Sequence, residues 1–221
     1  MGVSIGITGF ELIDELLTPL PNNWIIEFYG DEFLVNYFFH TTLAFNSLWR
    51  RVYAVIVREY GGLDPGLLAK LCRIYGCTLT NIMVARAFRI EDLVNILKNT
   101  IDSSGNLIAI LYPYSYLPNN PSSYWKATLI TGLIHSLSSR NQVVLFNTVS
   151  KFGNYMSEGG SMHHHIVKIM VKLWRRRDLC YAKLVKHSGK AGNSTRIFRL
   201  KLLETAIQKN SKTLLEWIRT V

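Results

Sequence analysis

Five apolar runs rich in β-branched and aromatic residues set the frame of this chain: Trp24–Tyr29, Val52–Val57, Ile82–Ala87, Leu107–Tyr112 and Gln142–Asn147. Between them, near 33–47, 64–75, 90–102 and 122–138, apolar residues recur at three- and four-residue steps, the period of amphipathic helices. Nearly continuous apolar strands joined by helices predict a mostly parallel sheet buried on both faces, an α/β architecture. After residue 150 the pattern changes. Ile166–Trp174 and Tyr181–His187 flank the polar turn RRRD, and Ser194–Leu200 follows the glycine-bearing SGKAGNS. These runs predict an antiparallel C-terminal extension of the sheet. Residues 203–219 read as a last helix, with Leu203, Ile207, Leu214, Leu215 and Ile218 on its apolar side.

With no repeats, low-complexity tract or linker, the 221 residues are expected to form one domain, 1–221. A hydrophobic content of 48% against 18% charged residues suits a packed core and excludes a disordered chain. No apolar run approaches the roughly 20 residues that cross a bilayer. The start, MGVSIGITGFELIDELL, lacks a basic n-region and is not read as a signal peptide. Cys72, Cys77 and Cys180 are odd in number and lack paired-ligand spacing, so reduced thiols in a cytoplasmic protein are expected.

Charge is unevenly placed. Residues 1–150 hold 10 Lys+Arg against 11 Asp+Glu, and residues 151–221 hold 15 against 4, a net of +11 in the last third. Such asymmetry points to a polyanionic partner, nucleic acid above all, against a merely solvated basic face.

Residues 25–39, IIEFYGDEFLVNYFF, read as a strand, a glycine, a short loop and an apolar helix. Counted from Gly30, this is the frame of the phosphate-binding loop G-x-x-x-x-G-K-[ST] with its chemistry missing. Val35 places a side chain where the backbone must curl around phosphate oxygens. Asn36 removes the cation that reaches the β- and γ-phosphates, and Tyr37 replaces the hydroxyl that ligates magnesium.

Several segments in order resemble the core domain of the archaeal RecA-type recombinases, RadA and RadB. ITGFELIDELL resembles their entry segment, with Thr8, Gly9, Ile13 and Asp14 in place, and WIIEFYG the strand before their phosphate loop. REYGGLDPGLLAKL is similar to a RadB segment with Gly61, Gly62 and Pro65 in register. VARAF at 84–88 matches a RadA segment. VVLFNTVS at 143–150, GGSMHHHIVKIMVKLWRR and IFRL at 197–200 resemble the strands around and after the family's second DNA-binding loop. The resemblance spans roughly residues 4–202 and implies a RecA-like P-loop core without the N-terminal helical domain of RadA.

The departures from that pattern bear on function. The family's catalytic glutamate falls at Tyr60, beside Glu59. Its magnesium-associated aspartate falls at Tyr112 and Pro113, and its phosphate-sensing glutamine at Thr148, with Asn147 retained. Phosphoryl transfer depends on positioning and on cancelling charge with lysine and magnesium. The resemblance therefore implies an inactive ATPase with a degenerate nucleotide site (Gly30, Val35, Asn36, Tyr37, Tyr60, Tyr112), no cofactor and no metal. An ATPase whose missing lysine is replaced by Lys126, Arg58 or a partner's residue is the other reading.

The family's first DNA loop would fall in YPYSYLPNNPSSYWK (112–126), where Tyr114, Tyr116, Tyr124, Trp125 and Lys126 combine stacking surfaces with a cation. For Tyr112 and Trp125, packing beneath the loop is favoured. The second loop would be SKFGNYMSEGGS (150–161), offering Lys151, Phe152 and Tyr155. Arg175, Arg176 and Arg177 form a basic turn suited to phosphate or to water. His163, His164 and His165, read as part of a strand, alternate faces and lack a carboxylate or cysteine to complete a metal site. The partners implied are single-stranded DNA and the RadA recombinase or another RadA paralogue, in a homo- or hetero-oligomer. The alternative is a structural subunit that scaffolds an active ATPase without touching DNA.

Overall fold

A computed structural model describes residues 6–21, 23–100, 103–118, 120, 124–151 and 155–201. The helix expected over 203–219 lies outside them, as does Phe152. In chain order the elements are α1 (Glu11–Leu17), β1 (Ile25–Gly30), α2 (Glu32–Asn46), β2 (Val52–Val57), α3 (Pro65–Tyr75), β3 (Ile82–Ala87), α4 (Ile90–Thr100), β4 (Leu107–Leu111), α5 (Trp125–Ser138), β5 (Gln142–Asn147), α6 (Gly160–Ile166), β6 (Ile169–Arg176), β7 (Leu179–His187) and β8 (Thr195–Arg199). The strands form one sheet in the order β3-β2-β4-β5-β1-β6-β7-β8. Pairings from β3 across to β6 are parallel, and β6-β7 and β7-β8 are antiparallel. The expected architecture is therefore the observed one.

Alternation along each strand divides the core into two layers. On one face Ile26 and Phe28 of β1 pack with Phe38 of α2, Leu16 of α1 and Leu71 of α3. On the other, Ile25 and Tyr29 pack with Leu93 of α4 and Ile130 of α5. Every residue of β4 and β5 is buried, as strands covered on both faces require. β3 departs from that expectation. It is the edge strand, and Met83 and Val84 are about half exposed.

Two further expectations are corrected. Cys72 and Cys77 are not reduced thiols but a disulfide, leaving Cys180 free and buried. Gly76 takes the left-handed conformation after α3, and the Cys77 N–H donates to the Cys72 carbonyl. That reversal folds Cys77 back over the last helical turn and brings the two Cα atoms to 4.6 Å, within disulfide range despite the short spacing. These two residues thus give no support to a reducing compartment. The three histidines lie in helix α6, not in a strand. Gly159 and Gly160 both have positive φ and turn the chain into that helix. At Gly159 an added Cβ would come within 2.6 Å of the Tyr114 ring.

The extension β6–β8 has two unlike faces. Leu173, Ala182, Leu184, Cys180 and Phe198 point into the core, where the Phe10 and Phe198 rings lie 5.1 Å apart under α1. The intervening residues point the other way. Cross-strand register places Tyr29 beside Lys172 and Lys172 beside Lys183. The next row on the same face holds Trp174, Tyr181 and Ile197.

Candidate functional site

The C-terminal ends of the parallel strands, where open α/β sheets bind ligands, gather the residues singled out above. At the mouth of β1 only Asp31 separates the strand from α2. Gly30 has φ 128°, and its N-terminal neighbourhood is closed by β6: an added Cβ would lie 2.1 Å from the Leu173 carbonyl oxygen. The Asp31 N–H donates to that same oxygen at 2.9 Å. Asp31 caps α2, its carboxylate accepting from the Leu34 N–H at 3.1 Å and from Arg175 Nε at 2.9 Å. The Arg175 guanidinium also sits 4.7 Å over the Phe33 ring. Glu32, in the first helical turn, pairs with Arg58 at 2.5 Å. An anion at a helix N-terminus is favourable because the N–H groups there carry partial positive charge. In this chain that position is filled by the protein's own carboxylates.

The remaining residues of this region complete a packed cluster. Val35 and Tyr37 are buried. Asn36 donates to the Tyr112 hydroxyl at 2.7 Å, and Arg58 lies 4.8 Å over the Tyr112 ring. Tyr112 has φ 57°, uncommon for a bulky side chain, and ends β4 with its N–H on the Phe146 carbonyl. Burial, with Glu32 adding to it, pushes the Tyr112 hydroxyl up to about 12. The hydrogen bond that Arg58 donates to Glu32 raises the guanidinium pKa. Tyr60, by contrast, projects into solvent at 79% exposure and joins none of these groups.

A groove of about 460 Å³ runs beside α2, lined by Glu32, Asn36, His40, Arg58 and Asp64 among others. His40 is not a poised base there. Its Nδ1–H donates to the Asn36 carbonyl at 2.7 Å and its Nε2 accepts from the Asp64 N–H at 2.8 Å. Both ring nitrogens are thereby committed to the neutral form, and burial holds the ring below the usual histidine range.

Beneath the second loop lies a buried polar network that the sequence reading did not find. Glu27, fully buried in β1, accepts from Asn147 Nδ2 at 2.8 Å, Ser157 Oγ at 2.7 Å and His163 Nε2 at 2.8 Å. With Nε2 donating, His163 Nδ1 accepts from the Tyr114 hydroxyl at 2.8 Å, which in turn meets Thr131 Oγ1 at 2.9 Å. Glu158 accepts from the Lys151 N–H and from the Tyr124 hydroxyl, while Asn147 donates to the Glu158 carbonyl. A buried polar group is tolerated when it is hydrogen-bonded. Both Glu27 carboxyl oxygens accept, and the network pins both ends of the 148–160 segment to the sheet. Glu27 itself was the available signal, a lone acid inside the apolar run IIEFYG.

The expected DNA-contacting residues separate on inspection. Tyr114 is core, not a loop aromatic. Trp125, expected to pack inward, is 62% exposed at the start of α5, with Lys126 Nζ 5.8 Å from its ring. Lys151 is exposed, and its ammonium donates to the Leu117 carbonyl at 3.2 Å, tying the two loops together. Tyr155 is 82% exposed, with Lys172 Nζ 4.8 Å from its ring. Arg175 belongs to the closed mouth through Asp31, whereas Arg176 and Arg177 are exposed.

No family model matches the chain, and no curated protein matches it by sequence. Solved structures do match in fold. The RadB recombinase aligns over 87% of this chain and 94% of its own, with a TM-score of 0.68 at 15% identity. A DnaB-like replicative helicase, described with its interactions with primase, aligns over 90% of this chain and 62% of its own, with a TM-score of 0.64 at 12% identity. The fold is therefore RecA-like.

Proposed function

We propose that this chain is a RecA-like protein that does not hydrolyse ATP and serves as an accessory in homologous recombination and DNA repair. It binds single-stranded DNA and the RadA recombinase or a paralogue of it. The observation that carries the first half is the mouth of β1: Asp31 at the N-cap and Glu32 in the first turn of α2 stand where nucleotide phosphates would need donors and a cation. A bound phosphate there would meet two carboxylates already paired with Arg175 and Arg58. The second half rests on the net +11 of residues 151–221, on the exposed Trp125, Lys151, Tyr155, Arg176 and Arg177 around the strand ends, and on the half-buried Lys126 beside Trp125. Aromatic faces stack on bases and cations neutralise phosphates, a combination suited to single strands.

A cytoplasmic setting belongs to the same reading. Among the described residues no helix is long and apolar enough to cross a membrane. One observation favours the scaffolding alternative: the β3 edge exposes Met83 and Val84, with Phe88 58% exposed beside it. An apolar edge strand is a surface on which another chain can add. Calorimetric titration with ATP and magnesium, run alongside a phosphate-release assay, tests the proposal. It requires no turnover. Turnover that Asn36→Ala or Arg58→Ala abolishes would replace it with an ATPase of displaced ligands.

A further inference from the structure

We infer that the outward face of β6 and β7 is a further binding surface for single-stranded DNA, adjoining the second loop and extending beyond it. The inference rests on the reading that this chain binds single strands at all. The face exists because of strand alternation. β6 buries Val171 and Leu173 in one core layer and turns Lys172, Trp174 and Arg176 outward. β7 buries Ala182 and Leu184 and turns Tyr181 and Lys183 outward. Register then sets Trp174 against Tyr181 and Lys172 against Lys183.

The result is a groove of about 510 Å³ between this face and the end of the second loop. Trp174 lines it, and its ring stacks on that of Tyr181 with centroids 5.0 Å apart and planes 7° from parallel. Its wall is Tyr155, held over Lys172 by a contact of Nζ with the ring and a 3.3 Å hydrogen bond to the Tyr155 carbonyl. Lys172, Arg176 and Lys183 line it, and among the described residues no acidic one does. Among the described residues, Arg176 and Lys183 form no ion pair, unlike Arg175 one position away.

The choice of occupant follows from chemistry. Flat rings with paired cations and no carboxylate fit a base and its flanking phosphates. A second copy of this strongly basic face would bring like charges together. Residues 202–221, with 3 Lys+Arg and 2 Asp+Glu, are near neutral and offer little charge complement. The face is also continuous with the second loop through Tyr155, so a strand crossing that loop can run on over Trp174.

The test is fluorescence anisotropy of a labelled 20-mer of thymidine with the full chain across a salt series. It compares wild type, Trp174→Leu, Lys183→Ala and the loop variant Lys151→Ala, with circular dichroism confirming that each folds. Trp174→Leu is expected to weaken binding about tenfold with the salt dependence unchanged. Lys183→Ala is expected to lower the salt slope by about 0.7, one released counterion. Wild-type binding that only Lys151→Ala weakens would overturn the second surface and leave the proposed function intact. No wild-type binding at low salt would overturn both. Ultraviolet crosslinking with mass spectrometry distinguishes the occupants: adducts of thymidine on Trp174 or Tyr181 support the inference. A benzophenone side chain at Ile197 crosslinking to residues 202–221, or to a second copy, would overturn it.

Discussion

The mouth of β1 and the outer face of β6–β7 lie on neighbouring strands, yet they handle charge in opposite ways. At the mouth each cation is spent on a carboxylate: Arg58 on Glu32, Arg175 on Asp31. On the face, Arg176 and Lys183 have no acidic partner among the described residues. Adjacent residues of one strand, Arg175 and Arg176, fall on opposite sides of this division because side chains alternate along it. A basic count alone therefore does not locate a polyanion site. What matters is which cations remain uncompensated, and strand register decides that.

The largest effect should come from the closed mouth itself. Gly30→Ala places a methyl 2.1 Å from the Leu173 carbonyl at a φ that alanine resists. More than about 3 kcal/mol of stability should be lost, or folding abolished, in chemical denaturation. A tolerated alanine would mean that β6 does not seal the mouth. His163→Ala should follow closely, at about 3 kcal/mol, because it strips a partner from the buried Glu27 carboxylate and from Tyr114. A urea titration reading under 1 kcal/mol would show that the network holds nothing together.

Asp31→Ala removes a helix cap and an ion pair at once and should cost about 1–2 kcal/mol. It also frees Arg175, so it should strengthen single-strand binding, which makes it the sharpest probe of the contrast. Unchanged or weaker binding would break the comparison. The pH dependence tests His40. Burial lowers its folded pKa below the unfolded value of 6.5, so the unfolded chain binds the extra proton first. Its contribution is therefore intact above pH 6.5 and is lost as pH falls below it, at up to about 1.4 kcal/mol per pH unit. Stability measured at pH 7.5 and 5.5 should show that fall, and His40→Phe should lack it. The smallest stability effect belongs to the open face. Trp174→Leu gives up one stacked pair at a half-exposed site, and its thermal unfolding should report a loss of about 1 kcal/mol.

The parallel core was legible because hydrophobic period alone determines it. Val52–Val57, Ile82–Ala87 and Gln142–Asn147 begin and end where the apolar runs do. Features set by a backbone turn were not. The Gly76 reversal that joins Cys72 to Cys77 leaves no trace in a count of cysteines, and the glycine pair before His163 reads equally as a loop. The candidate site was legible only in outline. Composition marks the last third as basic, but the pairing of Trp174 with Tyr181 depends on the hairpin register, which shifts between Met170 and Val171. The aromatics of the first loop divided on burial, Tyr114 inward and Trp125 outward, which a Tyr- and Pro-rich segment does not disclose.

The proposed function requires the nucleotide site to be closed and a surface for single strands to be open. One titration addresses it most directly: single-stranded DNA binding by the full chain at two salt concentrations, with and without ATP and magnesium. Binding should weaken steeply as salt rises and should not respond to nucleotide. Binding that requires ATP, or that ATP shifts severalfold, would contradict it.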